Sequence, residues 1–233
     1  MQIEPDNLLY ENPLRQESDL QDFRLEGDAC ITFPRDRMRM EQAYERDRDK
    51  GRHANFVFWC PETFPSDIMV RWEFLPHSDA GLAMIWFAAH GSEGRDLFDP
   101  ELSPRAGDYP EYHHGDLNAY HLAYYRRNKS EIGLQTCNLR KSYGFHLLQK
   151  GGDPLPTSAY ATEPYSLQLI KHQGLIRFSI NDIPVLAYQD DGAIGGEPLG
   201  GGRIGFRQMA GLIADYSNLQ VFDLKDRSES ASS

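Results

Sequence analysis

The segment LQLIKHQGLIRFSI, residues 167–180, indicates the fold of this chain more plainly than any other. Hydrophobic and polar residues alternate in Leu167–Lys171 and again in Leu175–Ile180, and the tripeptide His-Gln-Gly separates the two runs. Two alternating runs joined by a short glycine-containing turn predict a β-hairpin. A turn at Asn181 and Asp182 and a short strand at Pro184–Tyr188 continue the same pattern.

Further strands are predicted on both sides of this hairpin. Residues 203–207 and 219–222 follow it, and Ile68–Phe74 and Gly81–Ala89 precede it. The last of these is apolar on both faces, which is typical of a central strand covered on each side. Helical signals are few: residues 38–49 are charged without an apolar stripe, which leaves a helix or a strand end plus a solvated loop open. Ten or more short strands predict an all-β, two-sheet sandwich.

Length and charge limit the classes of protein. A chain of 233 residues suits one domain, expected at residues 1–227, followed by a disordered tail at 228–233. A net charge of -11 and a pI near 5.1 disfavour nucleic acid and anionic membranes as partners. The sequence has no secretory signal pattern and no membrane-spanning stretch, and its three cysteines have no metal or redox spacing. We therefore expect buried thiols and a cytoplasmic protein.

Five blocks in order carry a family resemblance. They are FVFWCPETFPSDI (56–68), RDLFDPELSPRAGDY (95–109), YHHGDLNAYHLAYYRR (112–127), TCNLRKSYGFHL (136–147) and GGGRIGFRQMAGLIADYSNLQV (200–221). Together they resemble the domain-of-unknown-function 1961 family, with its YesU-like bacterial members. The resemblance implies an antiparallel jelly roll of the concanavalin-A-like lectin/glucanase type, a bacterial source and the use of pectin-type plant oligosaccharides. It implies no mechanism, so the site residues are argued from chemistry.

Positive charge is concentrated in one part of this acidic chain. Between residues 117 and 150 there are six cationic side chains and one acid, Glu131. The wider stretch from Tyr109 to Phe145 adds several tyrosines and histidines. A local cationic surplus in an acidic protein indicates an anionic ligand.

A predicted strand at residues 117–127 organises these residues. Alternation places Tyr120, Tyr124 and Arg126 on one face, and the same alternation in residues 136–141 groups Asn138 with Arg140. We predict that these five residues bind substrate, because aromatic faces stack on sugar rings while Asn and Arg bind hydroxyls and carboxylates. The alternative is an ordinary sheet surface whose arginines pair with local acids.

Proton transfer needs a base and an acid. We assign these roles to His114 or Tyr125, with Asp116 able to orient the imidazole of His114. His121 and His146 are weaker candidates. No cofactor and no metal site are predicted; bound Ca²⁺, if present, would use loop carboxylates such as Asp96 and Asp99.

Several reaction classes lack their motifs. Jelly-roll retaining hydrolases carry E-x-D-x-E on a strand, whereas residues 45–49 read ERDRD, which is typical of a solvated charged segment. Nucleophile-elbow and phosphate-loop motifs are also absent from the sequence. We therefore predict a protein that acts on uronate-containing oligosaccharides by lyase-type proton abstraction. A non-catalytic carbohydrate-binding jelly roll, or a hydrolase that uses Glu73 or Asp116, are the alternatives.

Overall fold

The computed structural model describes residues 5–43, 55–127 and 135–224. The strands in these residues are β1 (Leu8–Asn12), β2 (Arg24–Gly27), β3 (Ala29–Thr32), β4 (Met38–Gln42), β5 (Phe56–Phe64), β6 (Ile68–Pro76), β7 (Gly81–Gly91), β8 (Leu117–Arg127), β9 (Thr136–Ser142), β10 (His146–Gly152), β11 (Tyr165–His172), β12 (Leu175–Ile180), β13 (Ile183–Gln189), β14 (Gly202–Met209) and β15 (Ala214–Asp223). One α-helix, α1 (Tyr109–His113), and short 3-10 turns at Glu17–Leu20 and Ser92–Gly94 complete the described secondary structure.

The strands form two antiparallel sheets. The eight-stranded sheet has the order β13-β12-β11-β6-β15-β4-β3, with β1 added beside β15, and the seven-stranded sheet has the order β10-β9-β8-β7-β14-β5-β2. Non-sequential neighbours such as β6 with β15 and β7 with β14 are typical of a jelly roll rather than a simple meander. The predicted all-β sandwich and its hairpin at 167–180 are confirmed.

Two expectations concerned segments near the limits of the described residues. The start of the charged segment 38–49 is a strand, β4, whereas residues 45–49 lie outside the described residues. The tail at 228–233 also lies outside them. All three cysteines are unpaired; Cys60 and Cys137 are buried as expected, but Cys30 is exposed. Among the described residues no helix is long and apolar enough to span a bilayer.

The main core fills the space between the two sheets. Val70, Trp72 and Phe74 enter it from β6, and Ile85 and Phe87 enter it from β7. Alternate residues of a strand point to opposite faces, so this spacing leaves the remaining side chains of β7 on the outer face of the seven-stranded sheet. There Met84 and Trp86 form a second, smaller apolar cluster that includes Tyr112 of α1.

A β-bulge near the end of β8 reverses its alternation. Ala83 pairs with Tyr124 and Gly81 with Arg127, so two steps along β7 oppose three steps along β8. The extra residue is Tyr125, whose φ of 47° is left-handed. Tyr124 and Tyr125 therefore both pack in the main core, and the side chains that follow them exchange faces.

Candidate functional site: the arginine face

Four adjacent strands place two rows of side chains on the outer face of the seven-stranded sheet. In the order β14, β7, β8 and β9, the first row is Arg207, Met84, Ala123 and Asn138, and the second is Gly205, Trp86, His121 and Arg140. Gly205 makes room for the ring of Trp59, which would lie 2.4 Å from a Cβ at that position. The polar residues of these rows, with Arg126 and with Tyr109 of α1, are called the arginine face below.

Helix α1 lies against this face and fixes its aromatic side. The side chains of Asp108 and Glu111 form a capping box at the start of the helix, which begins with Tyr109 and Pro110. The ring of Tyr109 makes an edge contact with Trp86 at 6.4 Å between centroids. A local capping signal thus positions a tyrosine over a strand that is distant in the sequence.

Tyr109 and His121 form the central polar contact. Tyr109 Oη lies 3.3 Å from His121 Nε2, and the His121 ring lies 4.2 Å from that of Trp86. Burial is the main reason why the pKa of His121 lies well below its ordinary value. The electrostatic influence of Arg140, His113 and Arg207 lowers it further. The imidazole is therefore neutral, and Nε2 can accept the phenolic proton of Tyr109.

The phenol of Tyr109 is affected by two opposing influences. Burial raises its pKa to about 12, while the guanidinium groups of Arg207, Arg140 and Arg126 act in the opposite direction. Arg207 is in direct contact with the Tyr109 ring, at 4.8 Å from its centroid, and the charges of Arg140 and Arg126 also act on the phenol. A negative charge that develops on or near Tyr109 would be stabilised by all three.

The three arginines are held mainly by neutral groups. Arg126 donates to Thr136 Oγ1 at 2.9 Å, Arg140 to the Phe145 carbonyl at 3.0 Å, and Arg207 to the Gly107 carbonyl at 2.8 Å. Within residues 5–43, 55–127 and 135–224, none of the three forms an ion pair. Three guanidinium groups without a paired carboxylate favour an anionic ligand.

Several buried polar atoms of the face bond to no other described residue. They are Trp86 Nε1, His121 Nδ1, Asn138 Oδ1, and Nε and Nη1 of Arg207. Buried polar groups are usually hydrogen-bonded, and one left without a partner costs about 1–3 kcal/mol. A ligand with several hydroxyl or carboxylate oxygens would provide such partners.

The predicted grouping of Tyr120 and Tyr124 with Arg126 is wrong. Both tyrosines are completely buried in the main core, where Tyr124 accepts a hydrogen bond from Trp72 Nε1 at 3.2 Å. Tyr120 donates to Asp190, which also accepts from Lys141 at 2.9 Å. The prediction assumed regular alternation as far as Arg126. In the structure the alternation is interrupted at Tyr125, and the bulge there moves Arg126 to the opposite face. Asn138 and Arg140 do share a face with Arg126.

The residues predicted to transfer protons do not belong to the arginine face. The hydroxyl of Tyr125 donates to Asp79 at 2.8 Å inside the sandwich. Asp116 accepts from the backbone N–H and hydroxyl of Ser103, at 2.8 and 2.7 Å, which lowers its pKa. His114 is exposed at the end of α1 and contacts His113, and no bond joins it to Asp116 among the described residues.

The carboxylates considered for hydrolysis do not form a pair. Glu73 accepts from Ser217 Oγ at 2.6 Å on the outer face of the eight-stranded sheet, across the sandwich from the arginine face. Asp116 belongs to the segment before β8. Asp96, considered for calcium, instead pairs with Arg203 at 2.8 Å. Among the described residues, no group of three His, Cys, Asp or Glu side chains could hold a metal ion.

Sequence reasoning missed two main components of the face. Tyr109 opens the stretch that the sequence singled out, but its role depends on contact with a strand twelve residues away. Arg207 lies in β14, where the five successive residues 204–208 are all buried, and a charged residue that directly follows apolar ones is the signal that could have found it. It is fully buried, with Tyr109 and Tyr112 rings 4.8 and 4.9 Å from its guanidinium.

Comparison with known proteins places the chain among uncharacterised bacterial relatives. Residues 7–221 match the family described as domain of unknown function DUF1961. The chain is 50% identical over 214 residues to a Bacillus subtilis (strain 168) protein described as uncharacterized protein YesU, and the match covers 91% of this chain and 94% of that protein.

Solved structures agree with the observed fold. A Bacillus subtilis protein of unknown function with a galectin-like fold has a TM-score of 0.90 at 47% identity, over 97% of this chain and 100% of that one. The carbohydrate-binding module CBM66 from Bacillus subtilis has a TM-score of 0.53 at 10% identity, over 88% and 97% of the two chains. The second likeness concerns the fold alone.

Proposed function

The chain belongs to the DUF1961 family, and from that premise we propose that it cleaves uronate-containing, pectin-type oligosaccharides by β-elimination at the arginine face. The observation that carries this proposal is the contact of 3.3 Å between Tyr109 Oη and His121 Nε2, beside three arginines that form no ion pair with any described residue. Elimination from a uronate needs a base, an acid for the leaving oxygen, and positive charge on the carboxylate. The face supplies all three kinds of group.

The arginines and Asn138 act on the carboxylate. Arg140 and Arg126 are half-buried on the same sheet face, where burial and the charge of Arg126 lower the pKa of Arg140. A substrate carboxylate bound at this face would offset that repulsion. Neutralising the carboxylate makes the hydrogen on the neighbouring carbon (C5) more acidic. The bound carboxylate also offsets the positive charges that lower the pKa of His121. His121 therefore becomes a better proton acceptor when substrate is bound.

Tyr109 and His121 then transfer the protons. Tyr109 Oη takes the proton from C5 while its own proton passes to His121 Nε2. The electron pair of the broken C–H bond forms the double bond between C4 and C5, and the bond from C4 to the leaving oxygen breaks. Tyr109 gives the C5 proton to that oxygen and recovers its own from His121. The products are one chain with an unsaturated uronate and one with a free hydroxyl.

The test is to incubate the protein with homogalacturonan and rhamnogalacturonan oligosaccharides and to record the ultraviolet absorbance of the unsaturated uronate. The masses of the products are determined in parallel by mass spectrometry. We expect absorbance to appear with the wild type and to fall at least about 100-fold in rate with Tyr109→Phe. Tyr160→Phe, which changes a tyrosine that is 78% exposed, is the matched control. Cleavage without absorbance would contradict elimination and indicate hydrolysis.

A second candidate, carbohydrate binding without catalysis, is favoured by one observation. His121 has no exposed surface, so a sugar bound on this face would not contact it directly. In that case the oligosaccharides would bind, Arg140→Ala would weaken the binding, and neither new absorbance nor smaller products would be detected. Product analysis and binding measured on the same samples therefore separate the two functions.

A further inference from the structure

A cavity with one polar wall lies beyond the arginine face, at the end of β7 and β14. It adjoins the position where Ala89 pairs with Arg203, the register pair that follows Trp86 and Gly205. It has a volume of about 460 Å³ and lies between segments 94–97 and 200–203, with Thr63 and His90 also in its lining. Ligand pockets in proteins usually have volumes of roughly 300–1,000 Å³. We call it the glycine cavity, after Gly94 and residues 200–202 in its wall.

A fixed carboxylate–guanidinium pair forms its polar wall. Asp96 Oδ2 lies 2.8 Å from Arg203 Nη2, and Asp96 Oδ1 accepts the backbone N–H of Phe98 at 2.7 Å. The Arg203 guanidinium also lies 4.3 Å from the Phe98 ring centroid. The Asp96 side chain remains 47% exposed, whereas Arg203 is 14% exposed. The pair therefore has a defined position and still offers carboxylate lone pairs to a ligand.

Each arginine that lines the glycine cavity is already paired with a carboxylate. Arg203 pairs with Asp96, while Arg95 lies 2.9 Å from Glu101 and 3.7 Å from Glu93. His90 Nδ1 lies 3.1 Å from the Ala88 carbonyl, so it donates that bond and leaves Nε2 as an acceptor. Paired charges give no surplus for an anion, in contrast to the arginine face. The ligand that fits this wall is neutral and has its own hydroxyl donors and acceptors.

Gly200 borders open space in this wall. No described atom outside its chain neighbours lies within 4 Å of the position that a Cβ would take, and its φ is outside the left-handed region. The next two glycines have no such space. A Cβ on Gly201 would lie 2.3 Å from the Phe64 carbonyl oxygen, and a Cβ on Gly202 would lie 2.5 Å from the carbonyl carbon of Ala88. Because Gly200 lines the cavity and has open space at its Cβ, a large side chain there can extend over the cavity without disturbing the packing beneath it.

We propose that the glycine cavity binds a neutral sugar unit through two adjacent hydroxyl groups. One hydroxyl donates to Asp96 while its neighbour accepts from Arg203, whose Nε is buried and bonds to no described residue. A sugar hydroxyl can both donate and accept, so a vicinal pair matches this wall. The inference does not rest on the proposed elimination, because it uses none of the residues of the arginine face.

The test is calorimetric titration with the methyl glycosides of glucose, galactose, mannose, rhamnose and xylose. We expect at least one to bind the wild type and to bind Gly200→Phe at least about tenfold more weakly, a loss of roughly 1.4 kcal/mol. Gly152→Phe is the matched control, since Gly152 in β10 also has open space at its Cβ and lies outside the cavity. Its binding should equal that of the wild type.

Two further variants locate the bound sugar. Asp96→Asn should also weaken binding, which keeps the test valid if Gly200→Phe lowers the melting temperature. Arg140→Ala should leave binding of the neutral glycoside unchanged, even though it impairs the uronate site. The proposal is overturned if no glycoside binds, if binding survives both Gly200→Phe and Asp96→Asn, or if only Arg140→Ala abolishes it.

Discussion

Arg126 and Arg127 are adjacent in sequence but lie on opposite sides of the seven-stranded sheet. Arg127 pairs with Asp153 at 2.7 Å and donates to the Leu155 carbonyl at 2.6 Å, and its side chain is 7% exposed. Arg126 is half-buried on the arginine face, where its bond goes to the hydroxyl of Thr136. The bulge at Tyr125 causes this separation, because it shifts the alternation of β8 by one residue.

The two arginines should therefore respond differently to removal. Arg127→Ala leaves the carboxylate of Asp153 buried without its partner, and we expect a loss of about 3–5 kcal/mol in the free energy of unfolding. Arg126→Ala should change that free energy by no more than about 0.5 kcal/mol. It should weaken the binding of uronate oligosaccharides about 10- to 100-fold through the loss of a charged hydrogen bond. Urea unfolding and calorimetric titration measure the two effects. Equal destabilisation by both substitutions would show that Arg126 is structural.

Tyr109 and His121 should behave as one catalytic unit. If the phenol exchanges its proton with the imidazole, Tyr109→Phe and His121→Gln each remove the same transfer. We then expect the double substitution to lower kcat/KM by about as much as either single one, roughly 100- to 10,000-fold. The measurement is the rate of ultraviolet absorbance increase for the four proteins. Additive losses would mean that the residues act separately.

Circular dichroism and the melting temperature provide the control for that cycle. His121 is buried beside Trp86, so His121→Gln has a packing effect as well as a chemical one. Tyr109→Phe removes only a hydroxyl at a partly exposed position. If Tyr109→Phe alone retains full activity, the assignment of Tyr109 as the proton-transfer residue is wrong.

Lys141 and Asp190 form a buried ion pair that holds the glycine-rich loop 190–202. Lys141 Nζ lies 2.9 Å from Asp190 Oδ2, with side-chain exposures of 1% and 0%, and it also bonds to the Gly196 carbonyl. Burial opposes ionisation of Asp190, but bonds from Tyr120, Lys141 and the Gly192 N–H outweigh it and lower the pKa. The loop is thus tied to β9 beside Arg140.

Breaking this pair should destabilise the protein and loosen the loop. Lys141→Met leaves Asp190 charged and unpaired, and we expect the free energy of unfolding to fall by about 3–5 kcal/mol. Adding Asp190→Asn to Lys141→Met should recover part of that loss, because the buried charge is removed. Urea unfolding of the single and double variants gives the coupling, and limited proteolysis reports on residues 190–202. A loss below about 1 kcal/mol for Lys141→Met would show that the pair contributes little.

The fold was predictable because its signal is local. Alternation in Leu167–Lys171 and Leu175–Ile180 needs no knowledge of distant contacts, and the hairpin has the predicted strands. Asn138 and Arg140 were assigned to the correct common face for the same reason, since β9 has regular alternation between them. A prediction of strand faces from alternation therefore holds only up to the first irregularity in the strand.

The site was less predictable because its geometry depends on irregular and long-range features. The positive φ of Tyr125 has no signal in the sequence, since tyrosine rarely adopts that conformation, and it moved Arg126 away from Tyr120 and Tyr124. The contact between Tyr109 and His121 joins a helix to a strand across the sheet face. Neither feature follows from the alternation of residues along one strand.

The imidazole of His113 stays neutral at pH values where an exposed histidine becomes protonated. Burial, His114, Arg207 and Arg140 lower its pKa from 6.5 to about 4, against the opposite influence of Asp108. Tyr109 and Phe145 also face it, with ring centroids at 4.8 and 4.4 Å. Between pH 6.5 and about 4 the unfolded chain therefore binds up to one more proton at this residue than the folded chain does.

A protein whose unfolded state binds more protons loses stability as the pH falls, so His113 should make acidification destabilising within that window. We expect the free energy of unfolding to fall more steeply in the wild type than in His113→Asn, by less than the one-proton limit of about 1.4 kcal/mol per pH unit because solvent screens this partly exposed group. His146→Asn, which alters a half-buried histidine on β10, is the matched substitution measured for comparison. Urea unfolding at closely spaced pH values gives the slopes. Identical slopes for the wild type and His113→Asn would mean that His113 is protonated in the folded protein as readily as in the unfolded chain.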